Sequence, residues 1–257
     1  MERKLGDWGG SIGAFILVIL VNYLSNALPL NGLTQKDISD KYDSLFTPAS
    51  FTFSIWGVIY LALAAFVIYQ ALPAQRNNAL VARVSKLFIL SCFANIIWLV
   101  VWHYNFLVVS VIVMLAILAI LIAIYRALGI TNTQANWKHR LFLQLPFSLY
   151  LGWITVATVA NISILQNGMG WDDVLMSATN WTLLKLAIVG AICAIVVLRR
   201  GDSIYALVIA WAAYGIMSKQ VDTPAVAGAA LLIALFAVIL ATYEGMQQLD
   251  SKISPNS

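Results

Sequence analysis

The stretch 51-FTFSIWGVIYLALAAFVIYQAL-72 carries no Asp, Glu, Lys or Arg, and its length decides the fold. A helix needs about 20 consecutive apolar residues to cross the hydrocarbon layer of a bilayer. These residues are continuously apolar rather than alternating, which excludes a barrel strand. Only a helix then satisfies every backbone N–H and C=O within the segment itself. The reading is a transmembrane helix, and it spreads outward along the chain. Comparable runs occupy residues 11–30, 84–103, 106–128, 141–165, 180–198, 203–218 and 224–244, giving eight spans. The run at 203–218, SIYALVIAWAAYGIMS, is the shortest. Without it the count falls to seven and the C-terminus changes sides.

Composition points the same way. Apolar residues make up 61% of the 257 and charged residues 10%, against about 25% charge in a soluble chain. The expected fold class is all-α, a polytopic helical membrane bundle. The formal charge of +4 comes from fifteen Lys and Arg residues that form no basic stripe, so nucleic acid is excluded and the lipid bilayer is the first partner. Alternating the flanks puts Arg3, Lys4, Arg76, Arg83, Lys86, Arg126, Lys138, Arg140, Arg199, Arg200 and Lys252 on one side. Lys36, Lys41 and Lys219 fall on the other, and Lys185 inside a span is expected to snorkel outward. The positive-inside rule then predicts a multi-pass protein of the cytoplasmic membrane with both termini cytoplasmic. The first run also has the outline of a signal peptide, with small residues at Ser25 and Ala27. Retention as a helix is expected, because cleavage would spoil the alternation.

The usual catalytic and metal-binding patterns are missing. Cys92 and Cys193 fall inside apolar runs and read as buried structural residues. His103 and His139 look interfacial, His103 as a solvated residue at a helix end, and neither has a second ligand at metal spacing, so no metal site is expected. No Gly-rich phosphate loop and no nucleophile–base–acid set is present. No Asp or Glu occupies a span centre, which removes the usual proton relay of a coupled transporter.

The aromatic residues are more informative. Trp8, Trp137, Trp171 and Trp181 lie near span ends, where indoles anchor helices at the headgroups. Phe53, Trp56 and Tyr60 follow i, i+3, i+7 and share one helix face, as do Asn95, Trp98 and Trp102. In 150-YLGWITVATVANIS-163, Tyr150, Trp153, Ala157 and Asn161 form a third stripe, with Ala157 opening room between Trp153 and Asn161. Such faces either pack as helix seams or wall a pocket. Asn95 and Asn161 need partners, since an unpaired amide among apolar groups costs on the order of a few kcal/mol. A hydrogen-bonded clip between the third and fifth spans is the expected arrangement. The loop 31-NGLTQKDISDKYDSLFTPA-49 is either a lid over a site or a solvated connector. Gly190 with Ala194, and Ala225 with Ala229, supply small faces for close helix packing.

Three motifs together resemble a known family. The run 48-PASFTFSIWGVIY-60 resembles the second-helix signature of the TspO/translocator family, the tryptophan-rich sensory proteins. The run 94-ANIIWLVVW-102 looks like its third-helix motif, and 153-WITVATVAN-161 is similar to its fifth-helix motif. Departures exist: Phe51 and Phe53 each stand one position late, Ser54 replaces a common proline, and Pro146 comes three residues early. The resemblance covers the first five spans. It implies a TspO-like five-helix core over residues 1–166, with about three further transmembrane helices and a short tail over 167–257. It also implies a cavity at one end, capped by the long loop, for a hydrophobic planar ligand such as a tetrapyrrole, a porphyrin or a sterol-like molecule. The ligand-binding residues would be Phe53, Trp56, Tyr60, Asn95, Trp98, Trp153, Ala157 and Asn161.

The resemblance implies a sensor, carrier or transporter. It requires no cofactor, although a bound porphyrin or haem fits it, and a homodimer is compatible with it. One alternative is light-dependent porphyrin breakdown, with Trp56 and Trp153 as the redox-active rings. Another is a permease or accessory subunit of a transport complex.

Overall fold

The computed structural model describes residues 5–28, 30–33, 35–42, 44–130 and 136–253. Among them every expected span is helical and no strand occurs. The order is α1 (Leu5–Ala27), a short α2 (Gln35–Lys41) within the long loop, then α3 (Ile55–Ala71), entered through a 3-10 turn at Ser50–Ser54. Next come α4 (Ala79–His103), α5 (Leu107–Leu128) and a single turn α6 (Trp137–His139) that runs through a π-turn at Arg140–Gln144 into α7 (Leu145–Gly168). The chain closes with α8 (Ala178–Arg200), α9 (Ser203–Lys219) and α10 (Pro224–Ile253). Local chemistry sets the ends. Asn78 caps α4 by accepting from the N–H groups of Leu80 and Val81, at 3.1 and 3.2 Å. Gly129 and Gly201, at φ 54° and 62°, end α5 and α8 in the left-handed conformation that costs glycine little.

Seven helices are long and apolar enough to cross a membrane; α9, at 17 residues, is the shorter eighth. Gln248, late in α10, donates to the Gly201 carbonyl at 2.7 Å, so α10 returns to the level from which α9 departs. Polar side chains gather at the two ends of the bundle. At one end Gln70 donates to the Trp8 carbonyl at 3.0 Å, Ser85 donates to Gln70 at 3.1 Å, and Tyr125 and Ser148 both donate to Asp202. At the other, Asn31 donates to the His103 carbonyl at 3.3 Å. By their places on the helices Arg76, Arg83, Lys86, Arg126, Lys138, Arg140, Arg199 and Arg200 belong to the first end, and Lys41 and Lys219 to the second. Arg3 and Lys4 lie outside the described residues.

The outer surface of the bundle is apolar, and a few polar side chains are buried within its apolar core. Leu61, Ile68 and Leu232 are 74%, 67% and 68% exposed on outward faces, while Ser85, Asn95, Ser110 and Asn161 are buried. Helix α7 is central: two-thirds of its span is buried, against at most 39% for the other six long spans, and α9 beside it has 9 of its 17 residues buried. Glycines allow its neighbours close. A Cβ on Gly152 would meet the Val208 side chain at 3.0 Å, so α7 and α9 touch nearly backbone to side-chain root. Gly190 likewise receives Ile233 of α10, which gives the small-residue face of α8 its occupant.

One sequence expectation is corrected. His103 is fully buried rather than solvated, with Nδ1 2.7 Å from the Leu99 carbonyl and α4 covered there by Asn31. Lys185 reaches toward the end of α7, where its Nζ donates to Gln166 Oε1 at 2.6 Å, in line with the outward path expected of it. Cys92 and Cys193 are buried free thiols, as expected.

Candidate functional site

Ala49 ends the loop in extended backbone, and the tight 3-10 turn that follows splits two neighbouring rings to opposite sides. Phe51 goes outward to α9, where it meets Trp211 and Tyr214 at centroid distances of 5.5 and 5.8 Å. Phe53 turns inward and stands edge-on to Trp153 at 5.8 Å. One helical turn later Trp56 also meets Trp153 edge-on, at 6.3 Å and 80°. Tyr60 stacks behind Trp56 at 5.3 Å and 22°.

These rings line a cavity of about 70 Å³. Helix α4 contributes Asn95, Trp98 and Trp102, and α5 adds Met114. The α7 wall is Trp153, Ile154, Val156, Ala157, Ala160, Asn161 and Ile164, while Ser39, Thr47 and Pro48 close the void from the loop. Phe53, Trp56, Asn95, Trp98, Trp153, Ala157 and Asn161 are therefore brought together. Tyr60 is not on the wall; it supports Trp56 from behind.

The polar groups are arranged differently from the simple clip expected. Asn161 accepts from the Trp98 indole N–H at 3.1 Å and donates to Ser110 at 2.9 Å, tying α7 to α4 and α5. Asn95 instead accepts from Asn22 of α1 at 3.1 Å. The α4–α7 link exists, but an indole makes it. The Trp153 indole N–H and the Thr47 hydroxyl, both on wall residues, find no partner among the described residues. A buried donor left unpaired costs about 1–3 kcal/mol, which a guest bearing a hydrogen-bond acceptor would recover.

The long loop is a lid rather than a solvated connector. Ile38 is completely buried with Trp102 and Ile164, and Phe46 is buried in the main core. Tyr42 donates to Asn105 at 3.3 Å. The loop is also held from α9: Ala49 N–H donates to the Gly215 carbonyl at 2.9 Å, and the Trp211 indole donates to the Thr52 carbonyl at 2.9 Å. A Cβ on Gly215 would collide with Thr52. Sequence reasoning missed Ser39, Thr47, Met114 and Ile164 as wall residues. Trp102 was legible, seven residues after Asn95 on the same face.

No group of metal-ligating side chains occurs among the described residues. Chemically, the site offers apolar and aromatic surface and two hydrogen-bonding groups with no partner among the described residues. Its volume suits a few water molecules, well below the roughly 300–1,000 Å³ of a small-molecule pocket.

A family model described as TSPO-like protein matches residues 10–243, a stretch that includes all or part of every helix from α1 to α10. No curated protein and no solved structure matches the chain.

Proposed function

The chain belongs to the TSPO-like protein family, and from that premise we propose that it binds a hydrophobic planar molecule of the tetrapyrrole or sterol-like class, as a membrane sensor or carrier. One observation carries the reading: Phe53, Trp56, Trp98 and Trp153, from three separate segments, converge on a single void beneath a lid. Apolar walls supply affinity, edge contacts orient a flat guest, and the Trp153 N–H with the Thr47 hydroxyl select for an acceptor group on it. The guest enters as the loop around Ser39 and Thr47 lifts. Charge asymmetry supports a cytoplasmic membrane with the Arg- and Lys-rich end inside.

Titration of protoporphyrin into the purified protein tests this through quenching of tryptophan emission. Binding is expected in the wild type and weaker binding in Trp153→Ala. Unchanged affinity in that variant would remove the site assignment. A second reading, light-dependent porphyrin breakdown, draws on the 6.3 Å contact of Trp56 and Trp153. An unaltered product yield on illuminating Trp56→Phe would reject it.

A further inference from the structure

A second cavity, of about 520 Å³, opens at the opposite end of the bundle, between the start of α7 and the junction of α8 with α9. It lies at the end where the arginines and lysines collect, the level of the headgroups. The wide π-turn at Arg140–Gln144 presents Arg140, Leu141 and Gln144 to it, and Arg200 faces them from the end of α8. The Gln144 side-chain N–H₂ is buried and finds no partner among the described residues. Trp137 and Leu141 form an exposed apolar mouth, 65% and 44% accessible, and Lys138 holds its ammonium 5.7 Å over the Trp137 ring.

We propose that this cavity binds the phosphate of an anionic phospholipid. Two guanidinium groups pair with phosphate oxygens through paired N–H donors, and the Gln144 amide adds a further donor. Basic pockets between transmembrane helices at the cytoplasmic side are suited to acidic headgroups. The mouth of Trp137 and Leu141 receives the start of the acyl chains. Asp202, also in the wall, does not attract a cation in its place, because its oxygens already accept from Tyr125, Ser148 and the Tyr205 N–H. Glu244 lies against Gly201 and is not part of the lining, whose charged side chains are Arg140 and Arg200 against the single carboxyl of Asp202. The cavity needs the junction of α8 and α9, so it gives these helices a role of their own.

Native mass spectrometry of the full chain, supplied with phosphatidylglycerol or phosphatidylcholine, tests the proposal. Preferential retention of phosphatidylglycerol is expected, and Arg140→Gln with Arg200→Gln lowers that preference on the order of tenfold. Gln144→Leu keeps both cations and is expected to lower retention several-fold, which covers failure of the double variant to fold. Protoporphyrin quenching in each variant reports separately on the other cavity. Equal retention of the two lipids by the wild type, or full retention by Gln144→Leu and the double variant, overturns the proposal. Displacement of the lipid by millimolar inorganic phosphate reassigns the cavity to a soluble anion and overturns the lipid as its occupant.

Discussion

Trp56 presents itself edge-on to Trp153, with ring centroids 6.3 Å apart and planes at 80°. The pair joins α3 to α7 at the floor of the lidded void. Trp153→Ala is expected to cost about 3–5 kcal/mol, since it removes a buried ring and the contacts of Phe53 and Trp56. Trp153→Phe keeps a ring there and loses the orphaned N–H. It is expected to stay within about 1.5 kcal/mol of the wild type while binding acceptor-bearing guests less well. Thermal unfolding in detergent beside the quenching titration separates the two effects.

Asn161 couples three helices through Trp98 and Ser110. Asn161→Leu strands the Trp98 indole N–H in an apolar interior and is expected to cost about 1–3 kcal/mol. In a Trp98→Phe background the same change should cost less. A double-mutant cycle on melting measures the difference, and strictly additive losses would contradict the bond.

Gly215 and Trp211 hold the lead-in to α3. Gly215→Ala drives a methyl into Thr52, with an expected loss of about 1–3 kcal/mol from overpacking. Trp211→Phe removes one hydrogen bond, worth about 1 kcal/mol. Both are expected to quicken amide exchange across residues 48–54 while leaving α1 unchanged. Exchange read by mass spectrometry checks this, and unaltered protection at 48–54 would show that α9 does not hold the lid.

Asp202 lies between α8 and α9, outside the spans, and burial raises its carboxyl above the ordinary range. The N–H of Tyr205 and the hydroxyls of Ser148 and Tyr125 pull it back only in part. A carboxyl that holds its proton more tightly when folded gives full stability below its unfolded value, and that contribution fades as pH rises through the folded one. The melting temperature is therefore expected to fall as pH climbs from about 4. Asp202→Asn should flatten that slope, and an equal slope in the variant would show that another group is responsible.

Much of this was legible before any coordinates. Charge-free length announces a membrane helix wherever it occurs, and even α9 could be read at 203–218. The ring faces were legible because 3.6-residue periodicity places Trp56 three residues after Phe53, and Trp98 three after Asn95. The partners of the amides were not. Asn22 and Ser110 meet Asn95 and Asn161 only through the relative depth of α1, α4, α5 and α7, which no local pattern encodes. His103 looked solvated because it ends α4, and nothing in its neighbourhood tells that Asn31, 72 residues earlier, folds over it. Ser39 and Thr47 were hidden for the same reason: a polar loop reads alike whether it waves in water or seals a hollow. The Gln144–Arg200 cavity was the least visible, since it depends on a π-turn that departs from ordinary helical spacing.

The contacts of Ala49, Phe51 and Thr52 with Gly215, Trp211 and Tyr214 bear on how this protein is divided. Cutting the chain after its first five spans would keep every wall of the lidded chamber yet leave its doorway without a jamb. The C-terminal helices are then masonry of the chamber, and shortening the gene to a minimal core would be expected to yield a room that no longer shuts.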